Sequence, residues 1–218
     1  MRKQTFIAAL SAVVLLASCG GSAVKTEDAQ TAAQSADSAR VFALDSASSK
    51  VEWLAKKVTG QHNGTLAIKS GELKTEAGKI TSGRFTLNMA AIKVVDITDA
   101  ETNAKLAGHL NSEDFFSTSK FPEGTFELVS TEPIANAAAG SPNYTIKGNL
   151  TLKGISKAIS FPSTITINGE TLNAQADFDI DRTEWDIRYG SGKFFKDIGD
   201  KAINDNFNIK LNIVAKAS

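Results

Sequence analysis

A chain of 218 residues is long enough for one domain with a proper core, and 42% hydrophobic with 22% charged residues is a globular composition, which excludes disorder of the whole. Its formal charge is zero, and without Arg2 and Lys3, which belong to a segment expected to be removed, it holds 22 basic against 24 acidic groups, net −2. That balance gives no reason to expect nucleic-acid binding, and the one cysteine, Cys19, cannot form an internal disulfide.

The N-terminus suggests another use for that thiol. Met1-Arg2-Lys3 is a basic start, Phe6 to Ala17 is an apolar run, and Leu16-Ala17-Ser18-Cys19 places small residues before the cysteine. The run is a secretory signal, too short for a bilayer span of ~20 apolar residues. Leu-Ala-Ser-Cys matches the bacterial lipobox, so residues 1–18 are expected to be a signal peptide whose cleavage leaves Cys19 first and lipidated. An ordinary signal with Cys19 as a bystander is the weaker reading, because soluble secreted chains rarely keep a lone thiol. Two or more acyl chains anchor stably. The expectation is a lipoprotein anchored in the bacterial cell envelope without a transmembrane helix, facing the periplasm or the cell surface. From Gly20 to Arg40 the chain is Ala, Ser, Thr, Gln and Gly with scattered charges and no aromatic residue, a composition that predicts a flexible tether over 19–40, roughly 25 Å long on average.

From Val41 the apolar residues recur at every second position, the period of a strand buried on one face. Val51, Trp53 and Ala55 alternate with polar neighbours, and Leu66 and Ile68 follow Asn63-Gly64, read as a hairpin turn. Phe85, Leu87 and Met89 continue the pattern after Gly78-Lys79.

Between Thr98 and Phe126 the alternation stops. Thr98-Asp99-Ala100-Glu101 has the Thr-x-x-Glu spacing of a capping box, so a helix is expected to begin near Asp99, with Leu106 and Leu110 on its apolar face. Ser112 can cap a second short turn presenting Phe115 and Phe116, and Pro122 closes the excursion. This predicts a short helical cover over about 99–119.

The alternation resumes at Phe126 and Leu128, is cleanest over Ile146, Gly148, Leu150 and Leu152, and runs on through Ile159, Phe161, Ile165 and Ile167. Ala174, Ala176, Phe178 and Ile180 follow, and Phe207 to Ile213 end it. Eight or nine short strands without βαβ spacing make an antiparallel sheet. Periodicity leaves its closure open between a barrel of ~8 strands with room for a small ligand and a self-filled sandwich.

Catalytic motifs are scarce, and with two histidines a His-rich metal site is excluded. Asp177-Phe178-Asp179-Ile180-Asp181 imitates a calcium loop but has Arg182 where the turn glycine belongs. No metal and no catalytic residue is assigned. His109 and Asp114 could form an acid/base pair, but a structural imidazole is the commoner arrangement without a nearby nucleophile. Arg182 keeps the inward parity of Ile180 and so needs an anionic partner: Asp186, Glu184 or a ligand head group.

The run His109-Leu110-Asn111-Ser112-Glu113-Asp114-Phe115-Phe116, then Lys120-Phe121-Pro122 and Thr125-Phe126, with Gly148 to Gly154 and Arg182, resembles the YceI-like family of bacterial envelope proteins from about Val41 onward. The resemblance implies a lipocalin-like antiparallel β-barrel over 41–218 that holds a polyisoprenoid or similar amphiphile. Two family positions differ: Ser48 stands where a histidine is usual, and Leu106-Ala107 replaces an Arg-Asp pair.

The expectation is thus a non-catalytic barrel binding a long-chain isoprenoid or another amphiphilic lipid, with no cofactor and possible dimerisation. Its apolar lining is expected from Trp53, Phe85, Leu87, Met89, Leu110, Phe115, Phe116, Phe126, Ile146, Gly148, Leu150, Ala174, Ala176 and Phe178, with His109 and Arg182 at the cover or head group. The small residues Ala55, Gly148, Ala174 and Ala176 on the inward parity argue for a hollow interior. The rival readings are an envelope stress-response or interaction domain with a filled barrel, and then an enzyme using His109, Asp114 and Arg182.

Overall fold

The computed structural model describes residues 23–218, so the expected signal peptide over 1–18 and Cys19 lie outside the described residues. Ten strands follow in chain order: β1 (Thr26–Asp28), β2 (Arg40–Leu44), β3 (Lys50–Lys57), β4 (Gly60–Glu76), β5 (Lys79–Val94), β6 (Glu123–Pro133), β7 (Tyr144–Leu152), β8 (Ile155–Asn168), β9 (Thr171–Asp181) and β10 (Ile203–Ala217). Helix α1 (Ala100–Asn111) lies between β5 and β6, and two single-turn 3-10 helices, Arg182–Trp185 and Gly199–Lys201, lie between β9 and β10. All pairings are antiparallel. β4 and β10 each pair with both β2 and β3, which therefore share one stave. With β9 joining β8 to β10, the sheet closes into an eight-stave, lipocalin-like antiparallel barrel.

Hairpin turns follow backbone chemistry. Ala77-Gly78 (φ 48° and 76°) and Lys153-Gly154 (φ 50° and 76°) both take the left-handed conformation that a two-residue turn between twisted strands needs. Asn63-Gly64, expected as such a turn, instead lies within β4, and the chain reverses at Val58-Thr59. Gly64 faces Trp53, and a Cβ there would come within 2.5 Å of the indole and 1.8 Å of the Lys93 carbonyl oxygen. Glycine serves a close approach at this position.

Helix α1 begins where expected, but its cap is Asp99, whose carboxylate accepts from the Thr102 amide at 2.9 Å and the Thr102 hydroxyl at 2.6 Å. An aspartate at this position also favours the positive end of the helix dipole.

The tether expectation is corrected for residues 23–40, which form a strap across the outer wall. β1 pairs with β8, and the Val24 amide donates to the Asp179 carbonyl at 2.7 Å, sealing the seam where β8 and β9 diverge. The Gln30 backbone exchanges two hydrogen bonds with the buried Asn149 side chain at 2.9 and 2.7 Å, and the Ala33 amide donates to the Leu128 carbonyl beside a bulge in β6. Ser35 then reaches Thr81 and Ser82. Composition misleads here because hydrogen bonds to a strand edge and to outward side chains, more than apolar burial, order the segment.

The barrel has two unlike ends. At one are the β4–β5, β6–β7 and β8–β9 connections; at the other are the β3–β4 turn, the α1 excursion, the β7–β8 turn and the long β9–β10 connection. Trp185 and Ile187 of that connection are fully buried, and the Trp185 indole donates to the Leu150 carbonyl at 3.0 Å, closing the wall beneath the cover.

Candidate functional site: an apolar cavity under the cover

The inward faces enclose a cavity of about 220 Å³ lined by apolar side chains from β3 to β10, with Leu110, Phe115 and Phe116 at the covered end. Thirteen of the expected lining residues meet there: Trp53, Phe85, Leu87, Met89, Leu110, Phe115, Phe116, Phe126, Ile146, Leu150, Ala174, Ala176 and Phe178. Trp53, Phe85, Leu87, Phe126 and Phe207 point inward yet are only partly buried, as the wall of a hollow body requires. The interior is therefore not filled. Expectation from strand parity missed the part of the lining beyond the clean alternation, such as Ile92, Ile187 and Ile203, because β-bulges and irregular connections break the period there.

Gly148 does not line the cavity, which corrects its expected role. A Cβ on it would lie 2.2 Å from Phe126 Cζ, so the ring occupies the space a side chain would take. Two more rings do the same. Phe85 lies over its register partner Gly71, where a Cβ would come within 2.2 Å of Cδ1, and Trp53 lies over Gly64. Each large ring can lie flat against the wall because its neighbour has no Cβ, and a ring against the wall leaves the centre open. From Gly148 the aromatic surface continues across the barrel: Phe126 and Phe161 have centroids 5.9 Å apart, and Phe161 stacks on Phe178 at 4.2 Å with an 11° interplanar angle.

Arg182 borders the cavity, as its parity predicts, but its partners differ from those expected. It is 3% exposed, and its guanidinium donates to the carbonyls of Ile187 (2.7 Å), Asn204 (3.1 Å) and Ile203 (3.2 Å). Asp205, not Asp186 or Glu184, is its carboxylate partner, at 3.5 Å from Nη2. Burial lowers the arginine's pKa, partly offset by the charges of Asp205 and Asp181. The side chain fastens the β9–β10 connection to the start of β10. Glu184 and Asp186 belong to the same 3-10 turn and its cap, and Asp186 pairs with Arg188 at 2.7 Å.

His109 stands on the outer side of the cover and does not line the cavity. Its Nε2 is 3.0 Å from Asp114 Oδ2, and its ring packs edge-on against Phe115 at 4.9 Å and Tyr189 at 4.6 Å. It joins the α1 excursion to the β9–β10 connection. Tyr189, unremarked in the sequence, is the other half of that joint. His109 is bonded to Asp114 and Arg182 to main-chain carbonyls, so the structure does not bring the three into one reactive group. Ser48, at the divergent family position, donates its hydroxyl to Asp45 in the loop between β2 and β3.

The calcium-like carboxylates also diverge. Asp177 and Asp179 accept from Asn208 Nδ2 at 2.7 and 2.9 Å, while Asp181 turns to Lys193 and Thr183. Among the described residues no group of three or more His, Cys, Asp or Glu is placed to hold a metal ion, and no helix is long and apolar enough to cross a membrane.

The comparisons with known proteins agree with this architecture. A UPF0312 protein of Yersinia enterocolitica is 39% identical over 94 residues, covering 40% of this chain and 46% of the relative, so the chain spans about half the length of the curated relatives it matches. The crystal structure of Burkholderia cenocepacia BcnA superposes with a TM-score of 0.60 at 25% identity, covering 79% of this chain and 99% of that one. A Saccharophagus degradans domain described as polyisoprenoid binding superposes with a TM-score of 0.59 at 14% identity, covering 81% and 98%, a likeness of fold. The family model for the YceI-like domain matches residues 42–215, nearly the whole barrel from β2 to β10, and the chain therefore belongs to the YceI-like family.

Proposed function

We propose that the protein is a lipid-anchored envelope barrel that holds an isoprenoid or similar amphiphilic lipid without catalysing a reaction on it. The observation that carries this reading is the apolar cavity kept open by rings lying on glycines. Its volume of about 220 Å³ accommodates on the order of fifteen water-sized groups, which suits a few isoprene units or the end of a longer chain. Each methylene transferred from water contributes ~0.8 kcal/mol, so affinity can rest on the chain alone. Family membership supports a binding role, and the polyisoprenoid description of the Saccharophagus domain supports this ligand class. With the polar atoms of Arg182 committed to the protein, a head group finds its room at the covered mouth.

The anchor is part of the same proposal and rests on the lipobox around Cys19. Organic extraction and non-denaturing mass spectrometry of the protein purified from its envelope test the ligand: a co-purifying apolar lipid in near-stoichiometric amount is expected, and a lipid-free protein that takes up no added prenol overturns the reading. Cys19→Ala is expected to move the folded protein from the membrane to the soluble fraction, and retention through a high-salt wash overturns the anchor.

A further inference from the structure

We infer that the covered end of the barrel is a membrane-docking surface, so that the mouth of the cavity faces the bilayer. The inference deepens the lipid-binding reading and rests on it for what the docked mouth would exchange. All five large apolar side chains that are strongly exposed among the described residues belong to this end: Val58, Val95, Tyr189, Phe194 and Phe195, with Phe194 45% and Phe195 49% exposed. They are brought together by the fold. The Val58 amide donates to the Ala202 carbonyl and the Ile203 amide to the Gly190 carbonyl, which joins the β3–β4 turn to the loop carrying the aromatics. The Val95 amide donates to the Asn63 carbonyl beside that turn.

The charges around this rim suit a lipid surface better than a second protein core. Lys56, Lys57, Lys196 and Lys201 flank the apolar residues, all exposed and without an ion-pair partner among the described residues, against two likewise exposed and unpaired carboxylates on the same connection, Asp197 and Asp200, which leaves this set with two more cations than anions. Aromatic side chains beside free lysines are the composition of an interfacial anchor on anionic lipid.

The test uses the full chain reconstituted in phosphatidylethanolamine–phosphatidylglycerol vesicles carrying brominated acyl chains. A Phe195→Trp reporter is expected to be quenched well beyond the parent protein, and an Ala138→Trp reporter on the far-end β6–β7 loop is expected not to be. Equal quenching, or quenching at the far end alone, overturns the orientation. In the unanchored Cys19→Ala chain, Phe194→Ser with Phe195→Ser is expected to lower partitioning onto the same vesicles by roughly tenfold. Unchanged partitioning overturns the docking surface, as does a dimer in solution that these serines dissociate, since a second copy would then be the occupant. Neither readout requires lipid inside the barrel, so a lipid-free extract would count against the ligand proposal alone.

Discussion

Gly64, Gly71 and Gly148 each stand beneath an inward ring, and Gly148 offers the cleanest test of what that does. In Gly148→Ala the new methyl meets Phe126 Cζ at 2.2 Å and the Glu127 carbonyl oxygen at 2.9 Å, so the ring must swing toward the cavity. We expect a loss of about 1–3 kcal/mol in chemical denaturation, typical of overpacking, together with reduced lipid retention. An unchanged midpoint with unchanged retention would show that the ring has room to spare. A second residue-scale prediction concerns Asp181, at the hinge of β9 and the 3-10 turn. Burial opposes its ionisation, but the Lys193 ammonium and the Thr183 hydroxyl and amide outweigh it and hold the carboxyl below the usual carboxylate range. A depressed folded pKa contributes stability that is present above the unfolded value, ~3.9, and is lost as pH falls through the lower folded value. Thermal melts from pH 7 down to pH 2 should therefore show the parent losing more stability below about pH 4 than Asp181→Asn.

At the scale of elements, the cover is lightly packed on the barrel. Helix α1 buries none of its residues completely and touches the sheet mainly through β5. It is held by Asn103, whose side-chain amide donates to the Val94 and Ile97 carbonyls at 3.0 and 2.8 Å, by Phe115, and by the His109–Tyr189 joint. Segments with little burial open locally at low cost, so this one can move without unfolding the wall. Phe115→Ala with Phe116→Ala should accelerate amide exchange over residues 100–118 and the release of bound lipid, while amides of β7 to β9 keep their protection. Equal acceleration in the sheet would mean that the two rings are ordinary core. The strap across β8 to β5 works in the opposite sense, since it closes the seam where β8 and β9 diverge and adds hydrogen bonds to β7, β6 and β5.

For the whole molecule, the decisive property is an interior left open at its centre. Ala174 and Ala176 of β9 face the cavity, opposite the rings that lie against the wall. On the proposed reading, Ala176→Trp should fold with a near-parental melting temperature and lose its lipid, because the indole enters space the ligand would use. A filled barrel would instead lose roughly 1–3 kcal/mol to overpacking. An early-melting variant, or one that retains lipid unchanged, would refute a ligand-sized cavity at this position.

How much of this was legible in the sequence depends on the range of the interaction concerned. Period-two alternation determined most of the strands and most of the lining they supply, because a side chain's face in a strand depends on its parity alone. The loss of that period between Thr98 and Phe126 determined the cover, and the motif around His109 the family. Closure into a barrel rested on resemblance, since parity is the same in a sandwich. Other features belong to pairs far apart in the chain. Asn63-Gly64 reads locally as a turn, yet Gly64 is needed because Trp53 and the Lys93 carbonyl crowd it from neighbouring strands. Gly148 reads as vacant volume, yet Phe126 lies over it from β6. The partners of Arg182, the strap over residues 23–40 and the gathering of the exposed apolar rim were likewise settled only by folding. Local backbone rules say which way a residue faces, but only the closed sheet decides which distant atom it meets there.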